Sequence, residues 1–134
     1  MCIWAVCQST VVPGDVLIHT GDFSNTGEPE QIADLHAWMC SQPHKWKIVI
    51  AGNHDITMDA AYYKDRGAAR FHADREEAVD PERVRAILTD SEHVVYLEDQ
   101  AVEIGWPGTD QTLKVHCHTC LINTRSKHSL GNGT

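Results

Sequence analysis

Gly14-Asp15-Val16-Leu17-Ile18-His19-Thr20-Gly21-Asp22 and Lys47-Ile48-Val49-Ile50-Ala51-Gly52-Asn53-His54-Asp55 decide the fold. Each is a short apolar run stopped by a glycine and a polar residue, the mark of a buried strand that ends at a turn. Between them, Pro29 stands where a helix tolerates proline, in the first turn, whose N–H groups have no helical partner. Ile32, Leu35 and Met39 recur at i, i+3 and i+7, predicting a helix to about Cys40 with one apolar face, and Pro43 helps to end it. Strand, helix, strand is a βαβ unit. Near-continuous apolar strands predict a parallel sheet covered on both faces, hence an α/β fold.

Further along the chain, Asp80 is a good N-cap with Pro81 at the first helical position, opening a helix through Val84, Ile87 and Leu88. Val94-Val95-Tyr96 and Ala101-Val102-Glu103-Ile104 read as strands, expected to form a hairpin turning near Glu98-Asp99. Residues 60–80, rich in Arg and Glu, read as an exposed and partly helical connection. Residues 106–134 carry Lys114, Arg125 and Lys127 against Asp110 alone, so the acidic surplus lies in the first 105. That last stretch is rich in Thr, Asn, Ser and Gly and has no sustained period, so it is expected to be a loosely ordered tail. The domain is therefore placed at 1–105 and the tail at 106–134.

With 134 residues, 42% hydrophobic, the chain suits one globular domain. A net charge of −8 excludes a sequence-independent grip on a nucleic-acid polymer, which needs surplus Lys and Arg. A phosphate ester can still bind if cations stand between it and the protein. Cys2, Cys7, Cys40, Cys117 and Cys120 are an odd, scattered set rather than a disulfide framework. With no apolar run long enough to span a membrane, the expectation is a cytoplasmic protein.

Open parallel sheets collect ligands beyond the carboxyl ends of their strands, and there the two turns place Asp22 and Asn53. A carboxylate such as Asp22 suits a bridge between two divalent cations, and the Asn53 amide oxygen can complete one ion's shell without adding charge. His54 could reach a phosphate oxygen or the leaving group. Asp55 is the expected partner that holds its imidazole in one tautomer.

Gly21-Asp22 followed by Gly52-Asn53-His54-Asp55 resembles the second and third signature blocks of the calcineurin-like metallophosphoesterases. The surrounding text, Pro13 to Gly27 and then Pro43-His44-Lys45 into Lys47–Asp55, looks like the metallophosphoesterase-domain-containing subfamily. The resemblance covers roughly residues 12–105. It implies a metallophosphoesterase β-sandwich flanked by helices, here partial, with a βαβ core and incomplete sheets. It also implies two divalent ions (Mn, Fe, Zn or Mg), with Asp22 as bridging ligand, Asn53 as ligand of one ion, and His54 as catalytic histidine. The substrate implied is a small phosphoester, the subfamily including cyclic-nucleotide phosphodiesterases. Nothing before Asp22 matches the family's Asp-x-His block, and no Gly-His-x-His follows, so the chain reads as part of that domain and its activity as incomplete.

Other candidates carry less. His19 reads as a packed or edge histidine, Asn25 and Thr26 as turn and helix entry, His36 and Trp38 as surface and packing residues, and His44 as loop. His116, Cys117, His118 and Cys120 have zinc-ligand chemistry at close spacing, but a lone Cys-x-x-Cys lacks its second pair. An inactive metallophosphoesterase product, or a zinc-binding or interaction module built on that cluster, is the alternative reading.

Overall fold

The computed structural model describes residues 11–118. Strands β1 (Val16–His19), β2 (Trp46–Val49) and β3 (Val95–Tyr96) form a parallel sheet in that order. Val16 lies opposite Trp46 and Val49 opposite Tyr96. Alternate residues of the three strands serve opposite faces, as the pleat requires. Leu17, Val49, Ala51 and Tyr96 pack in one apolar cluster with the helices. Val16, Ile48, Ile50, Val95 and Leu97 pack in another, on the far side.

The helical side is built as the sequence predicts. Helix α1 (Pro29–Ser41) has Pro29 in its first turn, and Ile32, Leu35 and Met39 are wholly buried. After a 3-10 turn (Ile56–Met58), the chain runs through α2 (Ala60–Tyr62), a π-helical turn (Tyr63–Gly67) and α3 (Ala68–Phe71). Helix α4 (Pro81–Thr89) opens with the Asp80 carboxylate accepting from the Glu82 N–H, and sends Val84 and Leu88 into the same cluster as α1. Arg85 of α4 donates to the Glu98 carboxylate (2.8 Å) and to the Met58 carbonyl, tying the helix to the segments that follow β3 and β2.

The far side of the sheet is covered by a hairpin, and here two expectations are corrected. Strand β4 (Ala101–Gly105) pairs antiparallel with β5 (Thr112–His116), not with β3. Val94 and Val95 belong to an apolar run buried on both faces, which suits a parallel strand. Ala101-Val102-Glu103-Ile104 alternates, which suits a strand with one wet face. The turn between β4 and β5 uses Gly108 at φ 75°, and Trp106 N–H donates to the Gln111 carbonyl (2.8 Å). Residues 112–116, expected in a loosely ordered tail from 106, are therefore a strand, and Gly105 lies inside a hairpin. Ile104, Cys117, Val102 and Val115 close the second cluster, so two small sheets sandwich it. Cys120 lies outside the described residues.

Residues 60–80 are partly helical, as expected, but not wholly exposed. Tyr62 and Tyr63 are buried and pack with Ile56 as a third, small cluster. The surrounding charges masked these two aromatic residues in the sequence.

Two stability predictions follow from this packing. Leu35→Ala should lower the unfolding free energy by about 2–5 kcal/mol in urea denaturation, because a wholly buried leucine leaves a cavity. The second concerns His72, whose Nδ1 meets the Tyr63 hydroxyl at 2.7 Å. Burial pushes its pKa below the ordinary 6.5, so the fold favours the neutral ring. Its contribution to stability is intact above about pH 6.5 and is lost as the pH falls below it, where the unfolded chain takes up a proton that the fold resists. The thermal midpoint should drop on acidification below that pH, and His72→Gln should make the drop shallower.

Candidate metal centre at the strand ends

Leaving β1, the chain passes through two consecutive left-handed residues, Gly21 (φ 98°) and Asp22 (φ 54°). Glycine is required at the first. A Cβ there would collide with the backbone of Ala51 and Gly52, because the turns after β1 and β2 touch main chain to main chain. Aspartate is among the few side-chain-bearing residues that tolerate the second. The turn leaves the Asp22 side chain exposed at the carboxyl edge of the sheet, where Asn53 and His54 are exposed as well.

Asp55 holds the two turns together. It is wholly buried. Its Oδ2 accepts the N–H groups of Asp22 and Gly52, each at 2.8 Å. Its Oδ1 accepts the Ser24 N–H (2.8 Å) and the Ser24 hydroxyl (2.6 Å). The Ser24 oxygen in turn accepts the Gly27 N–H (3.0 Å), and the Thr57 hydroxyl donates to the Gly27 carbonyl (2.8 Å). Burial pushes the Asp55 carboxyl above the ordinary carboxylate range, while its hydrogen bonds, those from Ser24 and Gly52 foremost, pull the other way. Four donors converging on two oxygens are matched by the ionised form, which has no proton of its own to place.

This geometry corrects the expected partnership of Asp55 with the His54 imidazole. Both Asp55 oxygens serve the turns, and His54 Nδ1 meets the Asn25 carbonyl instead, at 3.0 Å. A carbonyl only accepts, so Nδ1 carries the proton and Nε2 is left for other partners. His54 also donates its main-chain N–H to Asp22 Oδ1 (3.1 Å), which fixes the exposed carboxylate against the second turn. Asp22, Asn53 and His54 are thus brought to one edge, with Asp55 beneath them.

The remaining candidates fall as follows. His19 is packed, its ring edge-on to Phe23 and Trp38 and its Nδ1 near the Gly21 N–H (3.3 Å). Burial pushes its pKa down, against the pull of Asp55 and Asp22. Thr26 bonds to the Glu28 carboxylate and Asn25 N–H to Gln31, so both shape the entry to α1. His36 meets the Ser91 hydroxyl (2.8 Å). His44 lies in a loop but is buried, its Nε2 at 3.1 Å from the Val12 carbonyl. Sequence reasoning missed Ser24 and Thr57. The signal for Ser24 was a hydroxyl two residues past Asp22 in a glycine-bounded turn.

Asp22 and Asn53 offer hard oxygen donors of the kind divalent cations take. Among the described residues, no group of three or more His, Cys, Asp or Glu side chains is arranged to hold a metal ion. The donor chemistry fits such an ion, and these two residues would supply part of its shell.

A parallel α/β sheet with Gly-Asp and Gly-Asn-His-Asp turns at adjacent strand ends defines a metallophosphoesterase-type domain. Comparison with known families agrees: residues 5–119 match the model of the Calcineurin-like phosphoesterase family, and the chain belongs to it. It is 36% identical over 95 residues to metallophosphoesterase domain-containing protein 1 of Homo sapiens and of Mus musculus, covering 68% of this chain and 28% of theirs. A UPF0046 protein of Caenorhabditis elegans is 39% identical over 95 residues, covering 71% of this chain and 30% of its own. The chain thus spans less than a third of the length of these relatives. Among the described residues no helix is long and apolar enough to cross a membrane.

The Asp55 knot is open to direct test. Asp55→Asn replaces an acceptor oxygen with an NH2 that faces main-chain donors. It should cost about 2–4 kcal/mol in chemical denaturation. An unchanged midpoint would mean that Asp55 does not hold the turns.

Proposed function

We propose that this chain contributes the strand-end part of the active site of a metal-dependent phosphoester hydrolase, of phosphodiesterase or phosphatase type. The observation that carries the reading is the exposure of Asp22, Asn53 and His54 at adjacent parallel strand ends, above a buried carboxylate that fixes both turns. Family membership supports the same chemistry. Asp22 would bridge two divalent ions (Mn, Fe, Zn or Mg) and Asn53 would complete the shell of one. When bound, such ions supply positive charge that polarises a phosphoryl group and favours attack by water.

The chain's own residues have definable tasks. Asp22 is presented by a left-handed turn and restrained by the His54 N–H, so its position depends little on side-chain freedom. His54, with Nδ1–H on the Asn25 carbonyl, turns Nε2 over to a substrate. As imidazolium it can donate a proton or a hydrogen bond to the departing oxygen. Asp55 is a positioning residue for this edge. A net charge of −8 disfavours an unaccompanied phosphate ester, so cations are needed for attraction as well as for chemistry. A small phosphoester, cyclic nucleotides included, is the proposed substrate class, in a cytoplasmic setting.

With Mn2+ present, the chain should hydrolyse bis(4-nitrophenyl) phosphate. His54→Asn should lower kcat by about 10²–10⁴-fold, the usual worth of a placed general acid. Asp22→Ala should abolish turnover. Absence of metal-dependent turnover, or turnover indifferent to Asp22, would refute the reading for this chain and favour the inactive alternative.

A further inference from the structure

The hairpin carries a pair of imidazoles that the phosphoester reading does not use. His116 ends β5 and His118 lies two residues on, so the pleat sends both to the wet side. Their rings are edge to face with centroids 4.7 Å apart. Cys117 between them points inward and is buried against Ile48, Leu97 and Ile104. Its N–H and sulfur both reach the Gln100 carbonyl, at 3.3 and 3.7 Å. That anchor fixes the strand end beside the segment after β3, and brings Asp99 Oδ1 to 3.8 Å from His118 Nδ1.

Two imidazoles on one tetrahedral ion, each ~2.0–2.1 Å from it, need their ligating nitrogens ~3.3 Å apart, a separation that rings this close can reach by side-chain rotation. A carboxylate beside the second nitrogen is the usual companion of a metal-bound histidine, since it orients the ring and raises its basicity. Imidazole selects Zn2+, Cu2+ and Ni2+ over the harder ions that carboxylate and amide oxygens prefer. We propose that His116 and His118 form a two-histidine chelate for Zn2+ at the end of β5, with Asp99 orienting His118 and water filling the remaining positions. It differs in chemistry from the oxygen donors at Asp22 and Asn53. Because the folded hairpin holds both rings together, the ion would bind it more tightly than the unfolded chain and so would also stabilise it.

The test is calorimetric titration of the whole chain with ZnCl2, comparing wild type with His116→Asn/His118→Asn, Asp99→Asn, Asp22→Asn and Cys120→Ser. One equivalent of Zn2+ should persist in Asp22→Asn and Cys120→Ser. It should weaken about tenfold in Asp99→Asn and disappear in the double histidine variant. In wild type, the imidazole proton resonances of His116 and His118 should shift as that equivalent is added, a readout independent of how the variants fold. Uptake unchanged in the double histidine variant, uptake abolished by Cys120→Ser, or imidazole resonances that do not move would each overturn the proposal.

Discussion

A single buried carboxylate, Asp55, organises the candidate site. Gly21 and Gly52 let two strand-end turns approach main chain to main chain, so that N–H groups of both turns converge on one carboxylate. An unmatched buried donor is costly, and one acceptor with two oxygens satisfies three of them and the Ser24 hydroxyl at once. The turns that carry Asp22 and Asn53-His54 therefore cannot move apart without breaking several charge-assisted bonds together. The exposed chemistry is precise because the buried chemistry is saturated.

The same constraint separates two roles that adjacent residues might be thought to share. His54 and Asp55 are neighbours in sequence, yet one is exposed and the other wholly buried. The turn directs them to opposite sides, so the imidazole takes its orientation from the Asn25 carbonyl across the gap. A main-chain carbonyl fixes the tautomer as well as a carboxylate would, without adding a negative charge at this edge. In a chain that is already acidic, that choice would favour the anionic substrate class proposed above.

Much of this was legible in the sequence, for physical reasons that can be named. The i, i+3, i+7 spacing of Ile32, Leu35 and Met39, with Pro29 in the first turn, specified α1 because burial and capping agree there. Asp80-Pro81 specified the start of α4 in the same way. The glycine-bounded ends of β1 and β2 placed Asp22, Asn53 and His54 at one edge. What failed was pairing between distant segments. The unbroken apolar run Val94–Tyr96 suits a parallel strand, but it does not by itself name β2 as the partner. The β5 strand was missed because only Val115, with Cys117 just past its end, marks its inner face, amid polar residues and an exposed Leu113. Asp55 was assigned to the wrong partner because sequence adjacency says nothing about which side of a turn a side chain takes.

Amide hydrogen exchange at Asp22, Ser24 and Gly52 reports most directly on whether one carboxylate builds this edge. These three N–H groups should exchange as slowly as the core amides of Leu35 and Ile48 in the wild-type chain, and all three should become fast together in Asp55→Asn. Exchange in the wild-type chain at the rate of a freely solvated turn, or loss of protection at one amide alone in the variant, would contradict the account.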